Sequence, residues 1–320
     1  MTNEMLSFFP LPAPGEHIFS ILARYHYMIL SSQDMQLTIR NVFGGSRQIN
    51  LKAAWRPEFD KLWSFYGGIL DRKELLTWHT PYYFDAKFLF TEQCNNIENR
   101  KLDQALSFNG TTNITHSKYW RWCEMCVEDD YDTQGFRYWH TQHQIPSMLM
   151  CAKHNLPLSG LCAHCGYFTA SLVKIQLSPK GNACPRCSMR IEPSRTSLSD
   201  EQHWLECFSK KLLDSKRLGC RATVASILRY ALNCPMTESS LTKVDRTQLR
   251  QAQDYLNHWV DKGAYKPYFC LVDHQGGRPP NPYSLNLIHL MYRDGNYHPI
   301  CYFAALTAFC SKEEISQALL

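Results

Sequence analysis

Cysteine spacing constrains this chain more than any other feature. Cys123 and Cys126 form a C-x2-C pair, and Cys151 with His154 forms a C-x2-H pair after 24 intervening residues. Cys162 and Cys165 follow, and 18 residues separate them from Cys184 and Cys187. Two residues between ligands suit a tight turn that aims both donor atoms at one ion. Two such knuckles complete a tetrahedron, and thiolate with imidazole is the donor set that suits Zn2+. The second quartet has the spacing of a zinc ribbon. Turn-formers sit where these knuckles need them, with Gly166 after Cys165, Gly181 before Cys184, and Pro185 inside the last pair. One isolated C-x-x-C would say little, but four consecutive two-ligand knuckles form a specific pattern. The expectation is two structural zinc ions, each closed by four protein ligands and paired in sequence order. An interleaved pairing of the first knuckle with the third is the alternative. His164 could compete as a ligand, but inside a C-x-H-C knuckle it is expected to point away.

The chain has 14 cysteines, so seven remain outside these quartets: Cys94, Cys207, Cys220, Cys234, Cys270, Cys301 and Cys310. They show no paired spacing and read as small core residues. Phe8-Phe9-Pro10-Leu11-Pro12 is unlike a secretory leader, and no stretch approaches 18 apolar residues. The expectation is a cytoplasmic protein without a membrane segment, in a compartment where clustered cysteines hold metal rather than disulfides. With 44% apolar and 20% charged residues among 320, the chain has ample material for a packed core and is not disordered.

The pattern predicts a mainly α, multi-domain fold with a central zinc-knuckle region of small β content. Three divisions are expected: a mainly helical 1–115, a double zinc-binding 116–195, and a helical 196–320 with helix-turn-helix-like character. In the first, Ile18, Leu22, Tyr25 and Ile29 recur at helical spacing, and further helical patterns cover 55–66 and 72–78. Ser194 to Ser199 reads as a linker. Helices are expected over 201–214, 221–232, 246–260, 285–292 and 299–310, with a loop at Gly276-Gly277-Arg278-Pro279-Pro280.

Net charge is +5, and one block accounts for a surplus of that size. Between Cys207 and Arg229 lie Lys210, Lys211, Lys216, Arg217, Arg221 and Arg229 against Asp214 alone. They fall on a helix, a Gly-containing turn and a second helix, the arrangement DNA-binding units use. Lys and Arg at phosphates supply sequence-independent affinity for duplex DNA. A basic helix face is also common as a merely solvated surface. Thr223 and Ser226 on the second helix are candidates to reach phosphate or bases, or to face water.

No phosphate-binding loop, nucleophile elbow, H-E-x-x-H or dinucleotide fingerprint occurs. Glu128, Asp129, Asp130 and Asp132 could hold Mg2+ for a nuclease, but next to a knuckle they read as a solvated loop. His140 and His143 flank Thr141-Gln142, and a packed histidine is the commoner reading there. The chain reads as a non-enzyme.

These residues together resemble the TniQ/TnsD family of transposition target-selection proteins. The N-terminal stretch Pro10 to Arg24 carries part of the match through Pro14-Gly15-Glu16, Ser20 and Arg24. The most specific part is Trp122-Cys123-Glu124-Met125-Cys126, Tyr138-Trp139, His143-Gln144-Ile145-Pro146 and Cys151-Ala152-Lys153-His154, then Cys162-Ala163-His164-Cys165-Gly166. The basic helical block and His298-Pro299, leading to Ser311-Lys312-Glu313-Glu314, complete it. The chain departs from the family pattern at Glu124, where Pro is usual, and at Asn155, where Gly is usual. Neither is a ligand, and Asn tolerates a left-handed backbone.

The resemblance implies an adaptor of bacterial transposons, acting in the cytoplasm at the nucleoid. It would bind double-stranded DNA directly, or dock, as a homodimer in one version, on an RNA-guided CRISPR Cascade complex. It would then recruit the AAA+ regulator TnsC and the transposase. The alternative is a zinc-stabilised, sequence-specific DNA-binding transcriptional regulator.

Overall fold

The computed structural model describes residues 8–30, 34–44, 53–169, 177–191, 197–215, 217–270 and 285–320. In chain order the helices are α1 (Ile18–Leu30), α2 (Met35–Phe43), α3 (Glu58–Ser64), α4 (Arg72–His79), α5 (Tyr82–Asp85), α6 (Thr91–Glu98), α7 (Glu124–Gln134), α8 (Asp200–Asp214), α9 (Arg221–Ala231), α10 (Lys243–Lys262), α11 (Leu287–Tyr292), α12 (Pro299–Phe309) and α13 (Lys312–Leu319). Two short strands accompany them, β1 (Ala53–Trp55) and β2 (Leu106–Ser107). The fold is mainly helical with little β structure, as the sequence pattern requires. Among the described residues no helix is long and apolar enough to cross a membrane. The loop at 276–280, Lys216 and residues 194–196 of the expected linker lie outside the described residues.

The chain forms two compact units, each assembled from several stretches. The first comprises Met1–Tyr82, Asp103–Ala105 and Lys118–Leu198; the second comprises Tyr83–Leu102, Leu106–Ser117 and Ser199–Leu320. The N-terminal helical stretch and the cysteine-rich stretch thus share one unit instead of forming consecutive domains.

The N-terminal signature explains that sharing. Gly15 turns the chain at φ +69°, a conformation that costs a side chain but not glycine, and delivers Glu16 into the interior. Glu16 is fully buried, and Arg24, two turns along α1, meets it through Nη2–Oε2 at 2.7 Å and Nε–Oε1 at 3.2 Å. Ser20 and the Ala13 amide also donate to the Glu16 carboxylate, at 3.1 and 3.0 Å. Arg24 further donates to the Leu11 carbonyl at 2.6 Å and lies 4.3 Å from the Phe136 ring centre. The Trp139 amide donates to Ser20 Oγ at 3.0 Å, and the His17 amide donates back to the Trp139 carbonyl at 2.8 Å. Glu16, Ser20 and Arg24 therefore clamp the start of α1 onto the Tyr138-Trp139 segment, 119 positions away along the chain for the Ser20–Trp139 bond.

The second unit is built around α12, which is buried over Pro299–Leu306 and therefore apolar on every side. Phe303 meets Phe84, Phe88 and Phe208. His298 caps α12, its Nδ1 accepting from the Ile300 amide at 3.2 Å while Nε2 lies 2.8 Å from Ser117 Oγ. Burial holds the His298 imidazole neutral, with a pKa of about 3, which leaves Nδ1 free to accept. Pro299 follows at the first helical position, where its missing N–H costs nothing. Ser311 and Glu314 form the capping box of α13. The His-Pro and Ser-Lys-Glu-Glu stretches are thus helix starts.

Helices α8 and α9 are joined by a turn in which Gly219 has φ +68°. A Cβ there would lie 2.5 Å from the Thr91 backbone, so only glycine fits. Lys87 holds the same turn by donating to the Ser215 and Arg217 carbonyls. Helix α9 packs against α11, α12 and α13.

Candidate metal centres

Cys123, Cys126, Cys151 and His154 come together in the first unit, with their donor atoms all within 4.8 Å of one another. Cys126 Sγ lies 3.5 Å from Cys151 Sγ, and His154 Nδ1 lies 3.5, 3.3 and 3.7 Å from the sulfurs of Cys123, Cys126 and Cys151. Metal–ligand bonds of ordinary length imply tetrahedral edges of about 3.8 Å between sulfurs and about 3.5 Å from sulfur to nitrogen. The four donors fit one ion. The second quartet, Cys162, Cys165, Cys184 and Cys187, repeats this, with 3.7 Å between Cys162 and Cys187 and 3.6 Å between Cys165 and Cys184. Knuckles pair in sequence order, the interleaved alternative does not form, and His164 belongs to neither group.

Three of the four knuckles share one backbone design. The amide of the first ligand bonds the carbonyl five residues on, in Cys151 to Leu156, Cys162 to Tyr167 and Cys184 to Met189. The amide four residues on returns to the first ligand's carbonyl, from Asn155, Gly166 and Ser188. Those three residues all have positive φ, of 52°, 66° and 59°. Closing each turn therefore needs a left-handed residue directly after the second ligand. Asn155 supplies it where glycine is usual, as Asn can. Asn155→Gly is expected to leave stability nearly unchanged, whereas Asn155→Val should cost about 1–2 kcal/mol. Thermal unfolding of the metal-loaded protein measures the difference, and equal effects of the two substitutions would contradict it.

The first knuckle is built differently from the tight turn expected. Cys123 is the N-cap of α7 and Cys126 lies in its first turn, so i and i+3 on a helix bring the two sulfurs to one side. Thiolates there also face the positive end of the helix. The stretch expected to be a solvated acidic loop is this helix. Asp129, one turn beyond Cys126, accepts from His154 Nε2 at 3.1 Å and also pairs with Lys153, which lowers the pKa of its carboxyl. A carboxylate behind a ligating imidazole fixes the ring and its tautomer, leaving Nδ1 for the metal. Asp130 meets His140 at 2.8 Å. Two members of the acidic cluster therefore serve histidines, while Glu128 and Asp132 are exposed.

Sequence reasoning missed the supporting roles of Asp129 and Arg121, while His143 is the packed histidine it expected. Asp129 carried a usable signal, the i+3 step from Cys126. His143 is buried with Nε2 3.8 Å from Cys126 Sγ, and burial lowers its pKa, which keeps it neutral. Arg121 is buried and donates to the carbonyls of Ile145 and Met148. Gln144 grips both the amide and the carbonyl of Arg121, at 3.0 and 2.8 Å. The His-Gln-Ile-Pro stretch is thereby locked beside the first site. Trp122 links the two centres, pairing with Ser159 and donating Nε1–H to the Gly181 carbonyl at 2.9 Å.

The basic block of the second unit fares unevenly. Lys211 and Arg217 are exposed and Lys210 is half-buried, while Lys216 lies outside the described residues. Arg217 also donates to the Gln317 carbonyl at 3.0 Å. Arg221, expected on the nucleic-acid face, is instead only 2% exposed, donating to the Arg293 carbonyl with its guanidinium over Phe90 and Tyr302. Arg229 is turned the same way, donating to the Met291 carbonyl and to Ser226 Oγ. Arg221 packs inside the unit because its long apolar stem and planar head fill a gap between aromatic rings, while Arg229 is half-buried with its head over the Tyr292 ring. Ser226 is engaged by Arg229 and its own helix, so it is not an outward-facing reader.

The family model for TniQ matches residues 7–158. The matched stretch contains the Glu16–Arg24 clamp and all four ligands of the first centre, and it ends before Cys162. No curated protein matches the chain.

Proposed function

Because residues 7–158 match the TniQ family model, we propose that the chain is a non-catalytic target-selection adaptor of DNA transposition. In this reading it marks a target in the bacterial cytoplasm at the nucleoid. It then recruits a TnsC-like AAA+ regulator, which brings the separate transposase. The observation that carries the reading is where the match falls. It covers the clamp and the first metal centre, which together stiffen one unit into a platform for a partner. Cys123, Cys126, Cys151 and His154 would hold one Zn2+, and Cys162, Cys165, Cys184 and Cys187 another. Four protein donors leave no position for water or substrate, so each ion would act on folding.

Target contact in this reading involves Lys210, Lys211, Lys216 and Arg217, without Arg221 and Arg229. Reversing Lys210, Lys211 and Arg217 to Glu is expected to weaken association with duplex DNA about tenfold or more. It should also lower the slope of log affinity against log salt by about one for each phosphate that is no longer neutralised. Unchanged affinity and slope in a filter-binding titration would show that this face does not meet DNA.

Affinity capture of the tagged chain from cells expressing its flanking genes tests the function. The AAA+ regulator and transposase should come with it. Co-purified Cascade subunits would place the RNA-guided mode ahead, and DNA alone would favour direct reading. Recovery of neither regulator nor transposase would contradict the adaptor.

A further inference from the structure

The first unit contains a small cavity that none of these roles uses. It holds about 40 Å³ and is lined by His17, Phe19, Trp55, Arg56, Phe59 and Tyr82, among others. Its polar lining is rich in donors. Arg56 is 6% exposed and Trp55 3%, and neither Arg56 Nη2 nor Trp55 Nε1 has an acceptor. His17 Nδ1 accepts the Phe19 amide at 3.2 Å, which leaves its ring hydrogen on Nε2. The Thr80 hydroxyl is already engaged, donating to the Leu76 carbonyl at 2.7 Å and accepting from the Tyr82 amide at 3.2 Å.

Charge makes this arrangement costly while the cavity is filled only by solvent. A buried guanidinium without an anion pays desolvation with little return. Burial lowers the Arg56 pKa to about 9, which still leaves the cation charged at neutral pH. The nearby Arg72 has its own carboxylate, with Nε 2.6 Å from Asp60 Oδ1, so Asp60 is not available to Arg56. Glu58 bears on Arg56 electrostatically, which offsets burial only in part.

We propose that this cavity is a binding site for a small carboxylate, held by Arg56 and the Trp55 indole N–H. The size argues for that class. At about 10–15 Å³ of such volume per water, the cavity takes roughly three to four water-sized groups, which spans the carboxylate and methyl of acetate. A planar carboxylate also matches the guanidinium fork. Phe19 and Phe59 supply the apolar wall against which the methyl group would lie.

Acetate is the probe. Thermal unfolding of the whole, metal-loaded chain is followed in acetate titrations at constant ionic strength, with chloride making up the balance. Saturable stabilisation by acetate is expected, absent in Arg56→Met. Trp55→Phe keeps the ring and removes only the N–H, so it should fold and bind acetate about tenfold more weakly, as a hydrogen bond to a charged group warrants. That variant keeps the test decisive if Arg56→Met does not fold. No saturable acetate dependence, equal affinity in Trp55→Phe, or tighter binding of inorganic phosphate than of acetate would each overturn the proposal.

Discussion

Cys151→Ser is expected to release one metal ion per chain and to abolish accumulation of soluble, folded protein. Cys151 is 1% exposed and packs with Cys123 and Cys126 against Leu156 and Leu158, so the centre is also part of the core. Site assembly and folding are then one event. Structural zinc supplies about 10–16 kcal/mol in small domains, against a net stability of about 5–15 kcal/mol for a whole protein. The serine variant loses more than the fold has in reserve. Cys184→Ser is the comparison, because the second centre lies outside the family-matched segment and half of its ligands are only partly buried. It should also lose one ion while leaving the near-ultraviolet circular dichroism of Trp120 and Trp139 largely intact, with any change confined to Trp122, which reaches Gly181 beside that centre. Normal yield and full metal content for Cys151→Ser would contradict the assignment of that ligand.

The second large effect belongs to the Glu16–Arg24 clamp. Glu16→Gln leaves the Arg24 guanidinium buried without its counter-ion, a loss of about 3–5 kcal/mol. For a protein of this size that lowers Tm by about 10 °C. Glu16→Met combined with Arg24→Met removes both charges and should cost clearly less than the sum of the two single changes. The metal content of all these variants should stay at two ions. Additive losses in the double-mutant cycle would mean the two side chains do not act as a pair. A Glu16→Gln protein melting with the wild type would mean the clamp does not stabilise the unit.

What could be read from the sequence divides along physical lines. The two donor quartets were legible because tetrahedral geometry is written in local spacing, and an i, i+3 pair needs only its own turn. The helices over 72–79, 200–214 and 221–231 were legible through apolar periodicity, and the one over 299–309 as an apolar run after His298-Pro299. Helix α7 was not, because its buried residues are Cys126, Val127 and Asp130. A thiol and a carboxylate there take the place of the apolar stripe that marks a surface helix. The clamp was visible as a resemblance but not as a structure, since its partner Trp139 is remote in sequence. Arg221 was counted with the basic face because charge can be read locally. Its rings, Phe90 and Tyr302, arrive from stretches 131 and 81 positions away, which no local pattern reports. The same long-range pairing makes two interleaved units out of what spacing suggested were three consecutive divisions.

Two closed tetrahedral centres paired in sequence order are the central prediction for this chain. X-ray absorption at the zinc edge, on protein whose metal content has been measured, reads this directly. One S3N site and one S4 site predict about two zinc ions per chain and a mean shell of (3 + 4)/2 = 3.5 sulfurs and 0.5 nitrogen, with no oxygen. A single ion per chain, or a shell containing oxygen, would contradict the closed double site.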